Sequence, residues 1–127
     1  MVFTTLFTAW AAQAAPDHAL PVAVTQPLLT YFGCLFDPLV EEISKGLPAG
    51  RTERERLVTA VLAQCGHLRS TSRNAARLAA SSNADRAEIE RALLAGESQL
   101  RFLVVEREKA IAADDAFCRA RGQEPGC

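Results

Sequence analysis

The chain has 127 residues, which is enough for one domain and too few for two of ordinary size. Apolar residues make up 49% and charged residues 23%, a composition typical of globular chains that excludes a disordered one. The formal net charge of −1 argues against nucleic acid as a partner, because affinity for nucleic acid comes mainly from neutralised phosphates.

Residues 1–14 have the pattern of a cleaved export signal. They carry no charged side chain and are largely apolar, and Ala12–Ala14 fits the small-x-small cleavage pattern. The alternative is an apolar N-terminal helix that packs on the domain. Pro16–His18 ends the apolar run before the roughly 20 residues that a membrane-spanning helix needs. We therefore expect a periplasmic or secreted protein with no stable membrane insertion once the signal is removed.

An extended leader over residues 15–27 is expected next, because three prolines are spaced through it among small and polar residues. Pro27 suits the first position of a helix that begins at Leu28. Asp37–Pro38 interrupts this helix, either as the boundary between two short helices or as a kink in one. The helix ends at Gly46–Pro48. Glycine accepts the left-handed conformation of a helix end, and the proline that follows cannot continue the helix.

The second predicted helix begins at Thr52, which forms with Glu55 the Thr-x-x-Glu pattern of a capping box. Apolar residues then recur three and four positions apart, which indicates that one face of the helix is buried. These residues are Leu57, Val61, Cys65 and Leu68. The polar run Ser81–Asn83 ends the helix.

The third predicted helix begins near Asp85, where Asp85 and Glu88 repeat the capping-box pattern. Its buried seam follows the alternating spacing of four and three that is typical of coiled coils, and then drifts toward Val104 and Ile111. The seam residues are Ile89, Leu93, Gly96, Leu100 and Leu103. The helix is expected to fray near Cys118.

The predicted fold class is therefore all-α. Residues 28–118 form a small three- or four-helix up-down bundle stapled by disulfides, with the leader outside it and residues 119–127 as a loose C-terminal tail. Short loops make consecutive helices antiparallel. The seam of the third helix packs either within the chain alone or also against a second copy in a homodimer.

Four cysteines in a short exported chain favour two disulfides over free thiols. Folding the first helix back on the second, about a turn near residue 48 or 49, brings Cys34 opposite residue 64. This construction predicts a Cys34–Cys65 bridge. Cys118 has no cysteine opposite it, so we expect it to pair with Cys127 through the flexible tail.

Neither a metal site nor a cofactor is expected. Structural zinc requires paired ligands a few residues apart, and the only close neighbours, Cys65 and His67, point to different faces of a helix. No residue is assigned as catalytic. A hydrolytic arrangement of His67 with Ser70 or Thr71, and with Glu97 or Ser98 facing it from the third helix, can be drawn, but such side chains are common on helix surfaces.

Arg69, Arg73 and Arg77 lie four residues apart and form a basic stripe on the second predicted helix. The stripe could bind an acidic partner or a phosphate. Alternatively, the three arginines pair with Glu90 and Glu97 of the third helix, which should lie nearby.

Tyr31, Phe32 and Phe36 group aromatic side chains on the first predicted helix. One interpretation is that they cover the hairpin of the second and third helices as part of the core. The other is that they form an exposed apolar face to which another protein docks.

The leading hypothesis for function is a non-enzymatic exported protein that binds another protein, as an inhibitor, an accessory or an assembly factor. Arg69, Arg73, Arg77, Tyr31, Phe32 and Phe36 are the candidate partner-binding residues. The alternative is a small-ligand carrier with a pocket between the helices. A hydrolase is the weakest alternative.

Overall fold

The computed structural model describes residues 19–127, and these form five helices without a β-strand. The helices are α1 (Val22–Lys45), α2 (Arg51–Gln64), α3 (Gly66–Ala79), α4 (Asn83–Val105) and α5 (Arg107–Ala120). The all-α prediction is confirmed, with five helices in the described residues instead of three or four. The predicted export signal, residues 1–14, lies outside the described residues.

The higher helix count arises because two long predicted helices each bend at a single residue. Cys65, with φ −94° and ψ 1°, separates α2 from α3, and Glu106, with φ −108° and ψ 39°, separates α4 from α5. Backbone hydrogen bonding continues across both bends: the Cys65 N–H donates to the Val61 carbonyl at 3.0 Å and the Glu106 N–H to the Phe102 carbonyl at 3.1 Å. At the first bend, Gly66 weakens the helix next to a residue held by a disulfide. α2 and α3 therefore form one bent rod, and α4 and α5 form another.

The first helix begins earlier than predicted, at Val22 instead of Leu28, so the second half of the expected leader is helical. The reason is burial. Val24 is fully buried and lies one turn before Leu28, so the longer helix extends the apolar stripe that faces the core. Pro27, expected at the first helical position, lies inside the helix.

One helix runs through Pro38, which excludes the alternative of two short helices. It ends at Lys45, as predicted. Gly46 has a positive φ of 93°, and its N–H donates to the Ile43 carbonyl at 3.1 Å. Glycine reaches this left-handed region without the steric cost that other residues incur.

Both predicted capping boxes are wrong in position. The second long helix begins at Arg51 after Gly50, without a side-chain cap, so Thr52 lies inside it. In α4 the cap is Ser82, whose hydroxyl accepts a hydrogen bond from the Asp85 N–H at 3.1 Å. Asp85 is therefore in the first turn, where its carboxylate accepts from the Ser81 hydroxyl at 3.3 Å. Ser82 and Asp85 have the same three-residue spacing as the predicted box, which is why the pattern was placed one turn late.

The core lies between the bent rods and α1, which packs mainly on α3 and also on α4. All residues of the predicted α4 seam are buried: Ile89, Leu93, Gly96, Leu100 and Leu103. Ile111 is 48% exposed, so the expected drift of the seam toward it is wrong beyond the bend at Glu106. α1 approaches α4 closely at Gly96, which lies directly under the ring of Phe32.

Two disulfides are present, with the predicted pairing. Cys34 of α1 bonds to Cys65 at the bend between α2 and α3, with 5.9 Å between the Cα atoms. Cys118 of α5 bonds to Cys127 and closes the C-terminal tail. The Gln123 N–H donates to the Cys118 carbonyl at 2.8 Å, so the tail folds back on the helix end.

Replacing Gly96 with alanine tests the contact between α1 and α4. A Cβ at this position would overlap the Phe32 ring and lie 2.9 Å from its Cδ1 atom. We expect Gly96→Ala to lower the free energy of unfolding by about 1–3 kcal/mol, measured by urea denaturation. Gly33→Ala in α1 is the matched control, because its Cβ would meet only the Asp37 Oδ2 atom at 3.7 Å. The control should stabilise the protein by up to about 1 kcal/mol, and equal effects of the two substitutions would contradict the packing described.

Removal of the disulfides should separate their contributions. The Cys34–Cys65 bridge closes a separation of 31 residues and the Cys118–Cys127 bridge one of 9. The loop-closure model gives about 3–4 kcal/mol for the first bridge and about 2–3 kcal/mol for the second. We expect the double variant Cys34→Ser/Cys65→Ser to lose more stability to urea than Cys118→Ser/Cys127→Ser. The reverse order would mean that α1 is not held mainly by its bridge.

Candidate functional site

The basic stripe of α3 is paired with glutamates of α4, as the second interpretation of the sequence expected. Arg69 Nε lies 2.8 Å from Glu97 Oε1 and Arg73 Nε lies 2.6 Å from Glu90 Oε1. Arg77 also reaches Glu90, at 3.3 Å. Three arginines share two carboxylates, so the stripe retains one net positive charge and attracts an anionic ligand only weakly.

Arg69 of α3 pairs with Glu97 of α4 and interacts electrostatically with Tyr31 of α1, so it connects three helices. Burial is the main cause that raises the pKa of Tyr31, the charge of Glu97 adds to it, and Arg69 partly opposes it. The hydrogen bond to Glu97 is the main cause that raises the pKa of Arg69. The tyrosine therefore stays neutral and the arginine charged at neutral pH, which suits a structural contact.

The aromatic group of α1 lies on its inner face. Tyr31 is 1% exposed and Phe32 4% exposed, and their ring centroids are 5.8 Å apart. Phe36 is half-buried and packs against the core. The surface that α1 offers to solvent is therefore not formed by the Tyr31 and Phe32 rings.

The outer face of α1 carries a second apolar line that the sequence reasoning missed. Val22, Leu29 and Val40 are 72%, 50% and 48% exposed. At about 3.6 residues per turn, Leu29 follows Val22 by about two turns and Val40 follows it by five, so the three side chains lie along one side of the helix. Gly33 lies between Leu29 and Val40 on the same side. The signal in the sequence is the recurrence of apolar residues at whole numbers of helical turns. It was missed because Val22 was assigned to the extended leader.

Two carboxylates flank this line without a partner. Asp37 and Glu41 are exposed, and neither forms an ion pair with any residue in the described part of the chain. All ion pairs within residues 19–127 join residues between Arg51 and Lys109, and none involves α1. We call Val22, Leu29, Gly33, Val40, Asp37 and Glu41 the outer face of α1. It combines apolar area with two carboxylates that form no ion pair within residues 19–127.

The remaining large apolar side chains at the surface are scattered. Leu78 on α3 is 89% exposed, Leu94 on α4 is 61% exposed and Ile111 on α5 is 48% exposed. Each lies on a different helix. Single exposed apolar residues of this kind are normal on a protein surface and need no function.

The hydrolytic arrangement that the sequence allowed is not assembled. His67 is exposed, and Glu97 is occupied by Arg69. Ser70 is exposed on α3, and the neighbouring Thr71 hydroxyl donates to the His67 carbonyl at 3.1 Å. These side chains therefore do not form a chain of hydrogen bonds from a nucleophile to a base.

Residues 19–127 contain no cluster of three or more histidine, cysteine, aspartate or glutamate side chains that could hold a metal ion. Within the same residues, no helix has the length and hydropathy of a membrane span. The chain matches no family model, and neither a curated protein nor a solved structure is significantly similar to it.

The Arg73–Glu90 pair should contribute to stability in a pH-dependent way. The hydrogen bond from Arg73 is the main cause that lowers the pKa of Glu90 below its ordinary value of 4.5. A carboxylate with a lowered pKa in the folded state stabilises the fold above its ordinary pKa, and this contribution is lost as the pH falls through the lowered value. Because the Glu90 side chain is 38% exposed, solvent screening limits the contribution to under about 1 kcal/mol.

Urea denaturation of the wild type and Glu90→Gln between pH 7 and pH 2 measures this contribution. We expect the wild type to be more stable at pH 7 and the difference to shrink below about pH 4.5. Glu124→Gln, in the exposed tail, is the control and should show no such difference. A difference between wild type and Glu90→Gln that stays constant down to pH 2 would contradict the ionic role of Glu90.

Proposed function

We propose that this protein is a non-enzymatic, exported protein-binding module that acts as an inhibitor, an accessory or an assembly factor. The observation that carries the proposal is the alignment of Val22, Leu29 and Val40 on the solvent side of one helix. A small domain gains no stability from holding three large apolar side chains in water, whereas a partner that covers them gains the free energy of their burial.

The two disulfides support the exported part of the proposal. Bridges of this kind persist in oxidising compartments and are rare in a reducing cytosol. A periplasmic or secreted location agrees with them and with the pattern of residues 1–14.

A small-ligand carrier is less well supported, because the space between α1 and α4 at Gly96 is filled. Phe32 occupies the space over Gly96, and Tyr31 and Arg69 occupy the neighbouring space. A carrier would need a cavity at such a junction of helices.

Recovery of a complex from the native compartment, with the tagged wild type and two variants, tests the proposal. The double variant Leu29→Gln/Val40→Gln removes apolar area from α1, and Leu78→Gln removes a more exposed leucine from α3. We expect the wild type and Leu78→Gln to retain one protein in stoichiometric amount, and the α1 variant to lose most of it. The wild type and the two variants should have the same far-ultraviolet circular dichroism.

Equal recovery with all three forms would exclude the outer face of α1 as the binding surface. A lipid or small molecule that co-purifies in place of a protein would favour the carrier instead.

A further inference from the structure

The outer face of α1 has the dimensions of a helix-docking surface. From Val22 to Val40 the helix rises by five turns, about 27 Å at about 1.5 Å per residue. Its three exposed large apolar side chains follow one line along that length. A second helix laid along the line covers all three side chains at once, in the way that amphipathic helices bind apolar grooves.

Gly33 marks the point where such a helix can come closest. A Cβ placed there would contact only the Asp37 carboxylate, at 3.7 Å, so the space above Gly33 is open. An apolar side chain of the partner fits between Leu29 and Val40 at this point, as a knob fits into a hole. The chain thus offers both the ridge and the gap that helix packing requires.

The charges on the outer face select the partner. Asp37 and Glu41 lie beside the apolar line, are exposed, and are not engaged by any described residue. Glutamates of comparable exposure on the other helices, such as Glu53 and Glu108, do pair with arginines of this chain. Unpaired carboxylates next to apolar area attract a partner whose apolar face is flanked by lysine or arginine, and repel one flanked by acids.

We infer that the outer face of α1 binds a cationic amphipathic helix of the partner protein, with the apolar side of that helix on Leu29, Gly33 and Val40 and its basic flank on Asp37 and Glu41. The inference rests on the proposed function and specifies its partner. The docked helix runs about five turns along α1, and its recognition depends on charge sign as well as on hydrophobicity.

Two peptides of about 20 residues serve as probes, long enough to follow the five turns of α1. One has leucines at helical spacing with lysines elsewhere, and in the other the lysines are glutamates. Their binding to the full oxidised chain is measured by fluorescence anisotropy at low and at physiological salt. We expect the lysine peptide to bind saturably at one to one, and the glutamate peptide to bind at least about 10-fold more weakly.

Variants locate the binding. Asp37→Asn/Glu41→Gln should weaken binding of the lysine peptide by about 10-fold at low salt and by less at physiological salt, because exposed charges are screened. The charge-matched control is Glu53→Gln/Glu108→Gln, which removes two carboxylates from other helices and should bind as the wild type does. Leu29→Gln/Val40→Gln should weaken binding by about 10-fold or more at either salt concentration, because burial of apolar area is insensitive to screening. Leu78→Gln should leave binding unchanged.

Several outcomes would overturn the inference. Equal binding of the two peptides would remove the charge selection, and equal binding by the α1 variants and their controls would remove the site. Self-association of the chain that is lost in Leu29→Gln/Val40→Gln would make a second copy the occupant. Binding of a synthetic peptide of residues 1–14 to α1 in place of the lysine peptide would assign the face to the N-terminal segment.

The proposed function can survive failure of this inference. If the lysine peptide does not bind but the native complex is still lost in Leu29→Gln/Val40→Gln, the partner is a protein of different chemistry. If neither occurs, both proposals are wrong.

Discussion

The Cys34–Cys65 disulfide determines where α1 lies on the other helices, and the remaining contacts of α1 depend on that placement. It joins the middle of α1 to the bend between α2 and α3, with the Cα atoms 5.9 Å apart. Once this point is set, Phe32 lies over Gly96, where α4 has no side chain to obstruct the ring. Tyr31 reaches Arg69 on α3. A rotation of α1 about its axis would break all three contacts, so the helix has one inner face and one outer face.

The ion pairs between α3 and α4 have a different role. Arg73 and Arg77 share Glu90 at the surface, where such pairs contribute about 0–1 kcal/mol each. They hold α3 against α4 but do not fix its register, because the arginines recur once per turn and a slide of one turn would bring the next arginine to the same carboxylate. Arg69 and Glu97 are more buried, at 33% and 22% side-chain exposure, so loss of either partner would leave a partly desolvated charge. The arginine stripe, which the sequence allows as a ligand site, therefore forms the ion pairs between α3 and α4.

Much of the fold was predictable because its main signals are local or depend on simple geometry. The seam from Ile89 to Leu103 follows from periodicity, and the Cys34–Cys65 pairing follows from folding two helices about a short turn. The same construction gives Cys118 no cysteine opposite it, which leaves Cys127 as its partner. The start of α1 was missed because the three prolines in residues 15–27 predict an extended segment, whereas the apolar spacing predicts a helix. Only the burial of Val24 in the folded protein shows that the helix forms. No residue pattern signals the bend at Glu106, since hydrogen bonding continues across it.

The candidate site was harder to predict than the fold. The pairing of the arginine stripe was one of two alternatives, and the choice between them required the distances between α3 and α4. The outer face of α1 was missed because its line begins at Val22, which counted as leader. Such a line can be recognised only after the helix is known to continue unbroken through Pro27 and Pro38.

In this arrangement α1 has its aromatic side in the core and its Leu29–Val40 side in solvent. A nuclear Overhauser spectrum of the oxidised protein tests this arrangement most directly. One α-proton of Gly96 points at the Phe32 ring, so we predict strong cross-peaks between them and a ring-current shift of that proton. The methyl groups of Leu29 and Val40 should show cross-peaks within α1 and none to α3 or α4. Absence of the Phe32–Gly96 cross-peaks, or cross-peaks from the Leu29 and Val40 methyl groups to α3 or α4, would contradict the account.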